Sequence, residues 1–202
     1  MPPEGKWPPV PARVAGLVAV AREFEVEEEH AAQVTRLADQ LFRQLQAEHG
    51  LGEGWRELLL AAGVLHDIGL SVTLAQHNKH SRRLIERTTL PGFTKRERRI
   101  VALLARYHRG PPPRSRHRRF SALSPDEQEA VRRLAAILRV ADGLDRTHAG
   151  VVKDVKLERE TRGFRLWVAA RGDARWEVLA AEKKGDLFHE VYGPLRIEVT
   201  SQ

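Results

Sequence analysis

Residues 55–68 leave little freedom of fold. Leu58, Leu59, Leu60, Ala61, Ala62, Val64 and Leu65 clothe a helix in apolar side chains on nearly every side. Such a helix is stable only where neighbours cover all of it, so this run predicts a central helix inside a bundle. Candidate neighbours lie on both sides of it in the chain. Residues 12–24 predict a short helix, and residues 27–48 a long amphipathic one with Val34, Leu37, Leu41 and Leu45 at helical spacing. A helix over 77–87 closes at Pro91-Gly92. Thr94 and Glu97 form a capping box that opens the next helix, which ends by Gly110. Ser124-Pro125-Asp126-Glu127 supplies an N-cap, a first-turn proline and an acidic third residue for a helix reaching Asp142 and Gly143. Between these two helices an arginine-rich stretch, residues 110–123, is the longest irregular connection. Residues 1–11 are proline-rich and read as a loose start.

The last fifty residues change period. Residues 151–158 and 164–169 alternate as strands around a turn at Arg162-Gly163, 174–184 reads as a helix, and 195–199 as a third strand. The expected fold class is mainly α: a helical bundle over residues 1–150, followed by a small α+β (ββαβ) module over 151–202.

Polar residues fall where the core should be. His30 shares a stripe with Val26, Val34, Leu37 and Leu41. His66 and Asp67 continue the central helix at four-residue steps from Ala62 and Gly63. His77 and His80 lie on one side of their helix with Leu84. His108 follows Ile100 and Leu104, and Asp142 follows Leu134 and Leu138. A single inward histidine is commonly satisfied by a backbone carbonyl. Several imidazoles together with buried carboxylates are harder to satisfy that way, because a buried charge must be paired or bound to a metal. No basic residue occupies the inward stripes beside Asp67 or Asp142. Imidazole and carboxylate without thiolate suit Mn, Fe, Zn, Ni or Co, with Mg less favoured by histidine. His66, Asp67, His108 and Asp142 also stand near helix carboxyl ends, where the helix dipole favours a cation.

Composition narrows the classes. The absence of cysteine excludes a disulfide scaffold, a thiol nucleophile and a sulfur-ligated zinc site. No apolar run has the length for a membrane crossing. Residues 14–21 resemble a weak leader core, but they are short and lead straight into a helical pattern, so a cytoplasmic protein is expected. The formal charge is +7, and residues 79–119 hold 14 Lys/Arg against Glu86 and Glu97, leaving 20 bases and 25 acids elsewhere. One basic segment on a slightly acidic protein favours an anionic partner. Aromatic residues make up only 6%, with none interleaved in the arginine run of 114–119 as stacking platforms, which argues against nucleic acid.

The order His30, then His66-Asp67 within AAGVLHDIG, then Asp142 within LRVADGLDR, resembles the HD superfamily of metal-dependent phosphohydrolases. A more specific resemblance covers most of the chain. HAAQVTRLADQLFRQL, HGL, LLLAAGVLHDIG, HNKHSRRLIE, LPGFTKRE, ARYHRG and ILRVADGLDRTH are similar to the C-terminal helical region of the exopolyphosphatase/guanosine pentaphosphatase (Ppx/GppA) family. The resemblance implies an HD-type bundle with metal ligation by His30, His66, Asp67 and Asp142. With two metals it adds His80 and His108, ahead of His77. In that family the phosphatase centre lies in N-terminal actin-like lobes with glycine-rich phosphate loops. This sequence shows no such loop, so exopolyphosphatase activity is not expected to transfer. What it implies is a free-standing HD module.

The expected function is a metal-dependent phosphohydrolase acting on a nucleotide, a phosphoester or a polyphosphate, with one or two divalent ions. Asp67 would bridge the ions or orient the attacking hydroxide. Lys79, Arg82, Arg83, Arg109, the arginines of 114–119 and Arg146 would hold phosphates. The alternative is a non-catalytic polyanion-binding, dimerisation or regulatory module, in line with an expected homodimer. A purely structural metal is the third reading.

Overall fold

The structure, a computed structural model, describes residues 7–200; residues 1–6 of the expected loose start lie outside them. Helices α1 (Ala12–Ala15) and α2 (Leu17–Glu23) replace the single first helix, with a break at Gly16. Val14, Leu17, Val18, Val20 and Ala21, the leader-like run, are buried in the bundle. Trp7 donates to Glu28 at 3.1 Å, tying the chain start to the next helix. The long amphipathic helix divides into α3 (Glu28–Gln44) and α4 (Gln46–His49).

Helix α5 (Glu53–Leu65) stands at the centre, and residues 58–65 are all buried. It is followed by a 3-10 turn (Ile68–Ser71), α6 (His77–Arg87), α7 (Lys95–Tyr107), a short α8 (Arg118–Ser121) inside the arginine-rich connection, and α9 (Pro125–Gly143). Helices α3, α7 and α9 and the α1–α2 pair all pack on α5, which meets its need for cover on every side. Both capping boxes form, Thr94 with Glu97 on α7 and Ser124 with Glu127 on α9.

The C-terminal elements are β1 (Val152–Arg159), β2 (Phe164–Ala170), α10 (Arg175–Lys184), α11 (Asp186–Tyr192) and β3 (Leu195–Val199). The sheet order is β1-β2-β3, with β1 antiparallel and β3 parallel to β2. A parallel return needs a crossover, and two helices supply it where one was expected. Helix α11 escapes periodicity because it is only seven residues long and follows a glycine that reads as a stop. Strand β1 is an edge strand, and α3 covers its open backbone groups. Gln44 donates to Val155 O and accepts from Leu157 N, while Arg36 donates to Val152 O and Lys153 O. This is edge protection supplied by a helix stripe. Phe164, Leu166, Val168 and Ala170 form the buried face of β2, where Phe164 meets Phe188 of α11 edge-on. The apolar core runs without interruption from Val14 through the bundle to Ile197.

Candidate metal centre

Three helices point their carboxyl ends at one spot. His66 and Asp67 follow the last residue of α5, His108 follows α7, and Asp142 is the penultimate residue of α9. His77 arrives from the opposite direction, as the first residue of α6. Two close backbone approaches assemble these pieces. A β-carbon on Gly69 would lie 2.2 Å from His77 O and 2.4 Å from Ser81 N, so only glycine lets α6 settle on the turn after Asp67. A β-carbon on Gly143 would lie 2.5 Å from the α-carbon of Ala181, so glycine again lets α10 lie against the end of α9.

His30, His66, His77 and His108 are all buried, and each Nδ1 has an acceptor. His66 donates to Gly63 O at 2.8 Å, His108 to Ala105 O at 2.7 Å, His77 to Leu74 O at 3.2 Å, and His30 to the Asp145 carboxylate at 2.8 Å. A neutral imidazole that donates from Nδ1 presents a bare lone pair at Nε2. These lone pairs face one another: the Nε2 atoms of His30 and His66 are 3.3 Å apart, as are those of His77 and His108.

Two buried carboxylates lie between the pairs. Asp67 Oδ2 is 3.8 Å from His30 Nε2 and 3.5 Å from His66 Nε2, while its Oδ1 is 3.1 Å from His77 Nε2 and 3.6 Å from His108 Nε2. Asp142 reaches His30 at 3.7 Å and His108 at 3.9 Å. Asp67 Oδ1 is buried with no hydrogen-bond donor. Lone pairs converging on an orphaned carboxylate oxygen are the environment a cation satisfies. Ligands about 2.1 Å from a divalent ion stand roughly 3.0–3.4 Å apart, close to the separations here. Among the described residues two groups qualify, His30 with His66 and Asp142, and Asp67 with His77 and His108. The residues present therefore fit one or two divalent ions.

The electrostatics agree. Burial alone would push the Asp67 carboxyl up, but His66, His77 and His108 hold it well below the usual carboxylate range. Burial likewise opposes ionisation of Asp142, and the Lys184 ammonium and His108 overcome it. Burial lowers His66 and pushes His108 down to about 3, so both stay neutral and available as ligands. His30 differs: burial lowers it, yet the hydrogen bond to Asp145 and the nearby Asp142 and Asp67 raise it overall.

These shifts set a pH dependence for the metal-free protein. The unfolded chain takes up protons on histidine below its ordinary value of 6.5, whereas folded His66 and His108 do not. Stability therefore falls as pH drops from 6.5 toward 3, with His108 alone costing roughly 2 kcal/mol by pH 5. The lowered Asp67 and Asp142 act in the same direction at lower pH. Raised His30 acts oppositely, but it is one group. Urea midpoints of chelated protein are expected to fall steadily from pH 7.5 to pH 5; a flat or rising series would contradict these assignments.

Asp145 is 1% exposed, and its second oxygen accepts from Gly150 N at 3.0 Å. Both oxygens are thus needed as acceptors. In Asp145→Asn, the amide oxygen must keep Gly150, which turns the NH2 toward His30 Nδ1 and forces the proton onto Nε2. The expected outcome is a loss of about 10- to 100-fold in affinity for one ion, with the other retained, as read by metal titration. Unchanged affinity for both ions would refute this role.

A cleft of about 640 Å³ opens over the centre. Its walls include His30, Asp67, His77, His108 and Asp142, together with Arg109, Arg139, Arg146, Lys183 and Lys184. Lys184 contacts the Asp142 carboxylate directly. The carboxylate's cationic neighbour, absent from the stripes of α5 and α9, thus comes from α10. Buried Arg139 donates to Tyr107 O, Gly110 O, Lys184 O and Asp186, locking the end of α7 to the α10–α11 junction. His148 stacks on His30 with ring centroids 3.8 Å apart and contacts Glu27 at 2.6 Å.

Of the residues picked out from sequence, the structure brings together His30, His66, Asp67, His108 and Asp142, and sets Arg109 and Arg146 on the cleft wall. His80 is half-buried on α6 and belongs to neither ligand group; His77, at the helix start, stands there instead. Lys79 pairs with Gln76 and Arg82 with Glu86, and Arg83 is exposed; none of the three lines the cleft. Arg114 pairs with Glu190, and Arg118 and Arg119 line a separate cavity with Arg99. Sequence reasoning missed Asp145, Arg139, His148, Lys183 and Lys184. Only Asp145 carried a local signal, one helical turn beyond Asp142.

Among the described residues no helix is long and apolar enough to cross a membrane. The family model for Ppx/GppA phosphatase, domain III matches residues 12–179, a span that includes every ligand-bearing residue above and stops short of Lys183 and Lys184. That match covers most of the chain, which therefore belongs to the Ppx/GppA phosphatase domain III family.

Proposed function

We propose that the cleft is the active site of an HD-type, metal-dependent phosphohydrolase acting on a nucleotide, phosphoester or polyphosphate. The observation that carries this reading is the convergence of four imidazole Nε2 atoms on two buried carboxylates beneath a rim of cations. Divalent ions there would supply Lewis-acid polarisation of a phosphoryl oxygen and a more acidic water. His30, His66 and Asp142 would hold one ion, and Asp67, His77 and His108 the other. Asp67, with an oxygen toward each group, is the residue to orient the attacking water. Arg109, Arg146 and Lys183 bind phosphate oxygens, the arginines through forked donor pairs. Lys184, held beside Asp142, offsets negative charge as it grows in the transition state.

The test begins with protein stripped by chelation and reloaded in turn with Mn, Fe, Co, Ni, Zn or Mg. Phosphate release is then followed over a panel of phosphorylated compounds. Release that depends on reloading supports the proposal; ion-loaded protein inert toward the whole panel would sink it. The second reading, a polyanion-binding module, draws on Arg99, Arg118 and Arg119, whose cavity of about 290 Å³ shares no residue with the cleft. It predicts polyphosphate binding that weakens steeply with salt and survives chelation.

A further inference from the structure

The large apolar side chains exposed among the described residues are Leu70, Val72, Leu74, Trp176, Leu179 and Val199. All but Val199 lie on the two segments, 70–74 and α10, that carry residues of the cleft wall. Leu70 and Leu74 line the metal cleft itself, Val72 lies between them in the chain, and Leu74 is 75% exposed. On α10 the cleft wall is Ala180 and Lys183, and at helical spacing Trp176 and Leu179 share their face. Single exposed apolar residues are ordinary, but a cluster at the mouth of a polar site calls for a ligand. The floor of this cleft suits a phosphate group. Its cationic wall serves phosphate oxygens, whereas the exposed apolar side chains beside that wall gain nothing from a charged, hydrated group and gain from a flat apolar one that leaves water with them.

We infer that the cleft takes an organic phosphoester with an aromatic substituent, the phosphate over the metal centre and the ring against Leu70, Val72, Leu74 and the Trp176–Leu179 face. The inference rests on the reading of the cleft as a phosphate site. Phenyl phosphate and methyl phosphate, equal in charge, separate the two parts when titrated calorimetrically into metal-loaded protein. Phenyl phosphate is expected to bind about tenfold more tightly. Leu74→Ser with Trp176→Ser should bring the ratio near one and leave methyl phosphate affinity unchanged. Equal affinities in the unaltered protein overturn the inference, as does a preference that survives both substitutions. Failure of both esters to bind removes the phosphate site and the inference with it. A tenfold preference without hydrolysis leaves the inference standing and strikes only the hydrolase reading. Substitutions that dissociate a dimer in sedimentation velocity without moving the ratio assign the rim to contacts between copies, and overturn it.

Discussion

Replacing Asp67 with alanine is expected to empty the metal position it shares with His77 and His108, to weaken the other, and to lower phosphate release by at least about 1000-fold. The reason is the division of labour between its two oxygens. Oδ2 faces His30 and His66, and Oδ1 faces His77 and His108. Loss of the side chain thus removes a ligand of the His77–His108 group outright and, from beside the group of His30, His66 and Asp142, a neighbouring carboxylate oxygen. The remaining imidazoles keep their Nδ1 hydrogen bonds to Asp145 and to backbone carbonyls, so the scaffold has no cause to unfold. Elemental analysis, circular dichroism and a release assay on the same preparation read all three consequences. Two bound ions with undiminished turnover would contradict the account.

Gly69→Ala is expected to cost about 2–4 kcal/mol of stability and to weaken one ion more than the other. The added methyl group meets backbone atoms of His77 and Ser81 at well under van der Waals distance, and backbone cannot swing aside. Helix α6 must move off the 3-10 turn, breaking the hydrogen bond from Gly69 N to Ser81 Oγ and drawing His77 away from Asp67. The group of His30, His66 and Asp142 does not touch α6 and should keep its ion. Urea unfolding with metal titration tests both halves. A variant with native midpoint and two tight ions would show that this contact is not what sets His77.

Periodicity proved sound on which side of a helix a residue lies and silent on which end of the helix meets its neighbours. It set His30, His66, Asp67, His108 and Asp142 on inward stripes, and the structure gathers them because α5, α7 and α9 end at one level. On α6 the inward side held both His77 and His80. Only the first residue of that helix reaches Asp67, a fact of the Gly69 contact and not of spacing. The basic segment over 79–119 shows the same limit. Arg109 follows the end of α7 and joins the cleft, whereas Lys79, Arg82 and Arg83 pair locally or face solvent. Lys183 and Lys184 were beyond reach for another reason. They become wall residues only through the crossing of α10 over Gly143, a contact between segments about forty positions apart. Asp145 was legible in part, since it follows Asp142 within one turn, but its partner His30 is 115 residues away.

Anomalous scattering from Mn-soaked crystals puts the convergent histidines and aspartates to the most direct test. Two peaks are expected, one enclosed by His30, His66 and Asp142 and the other by Asp67, His77 and His108. Density maps with these side chains turned apart, or with no anomalous signal among them at saturating Mn, would refute a divalent-ion centre in this fold.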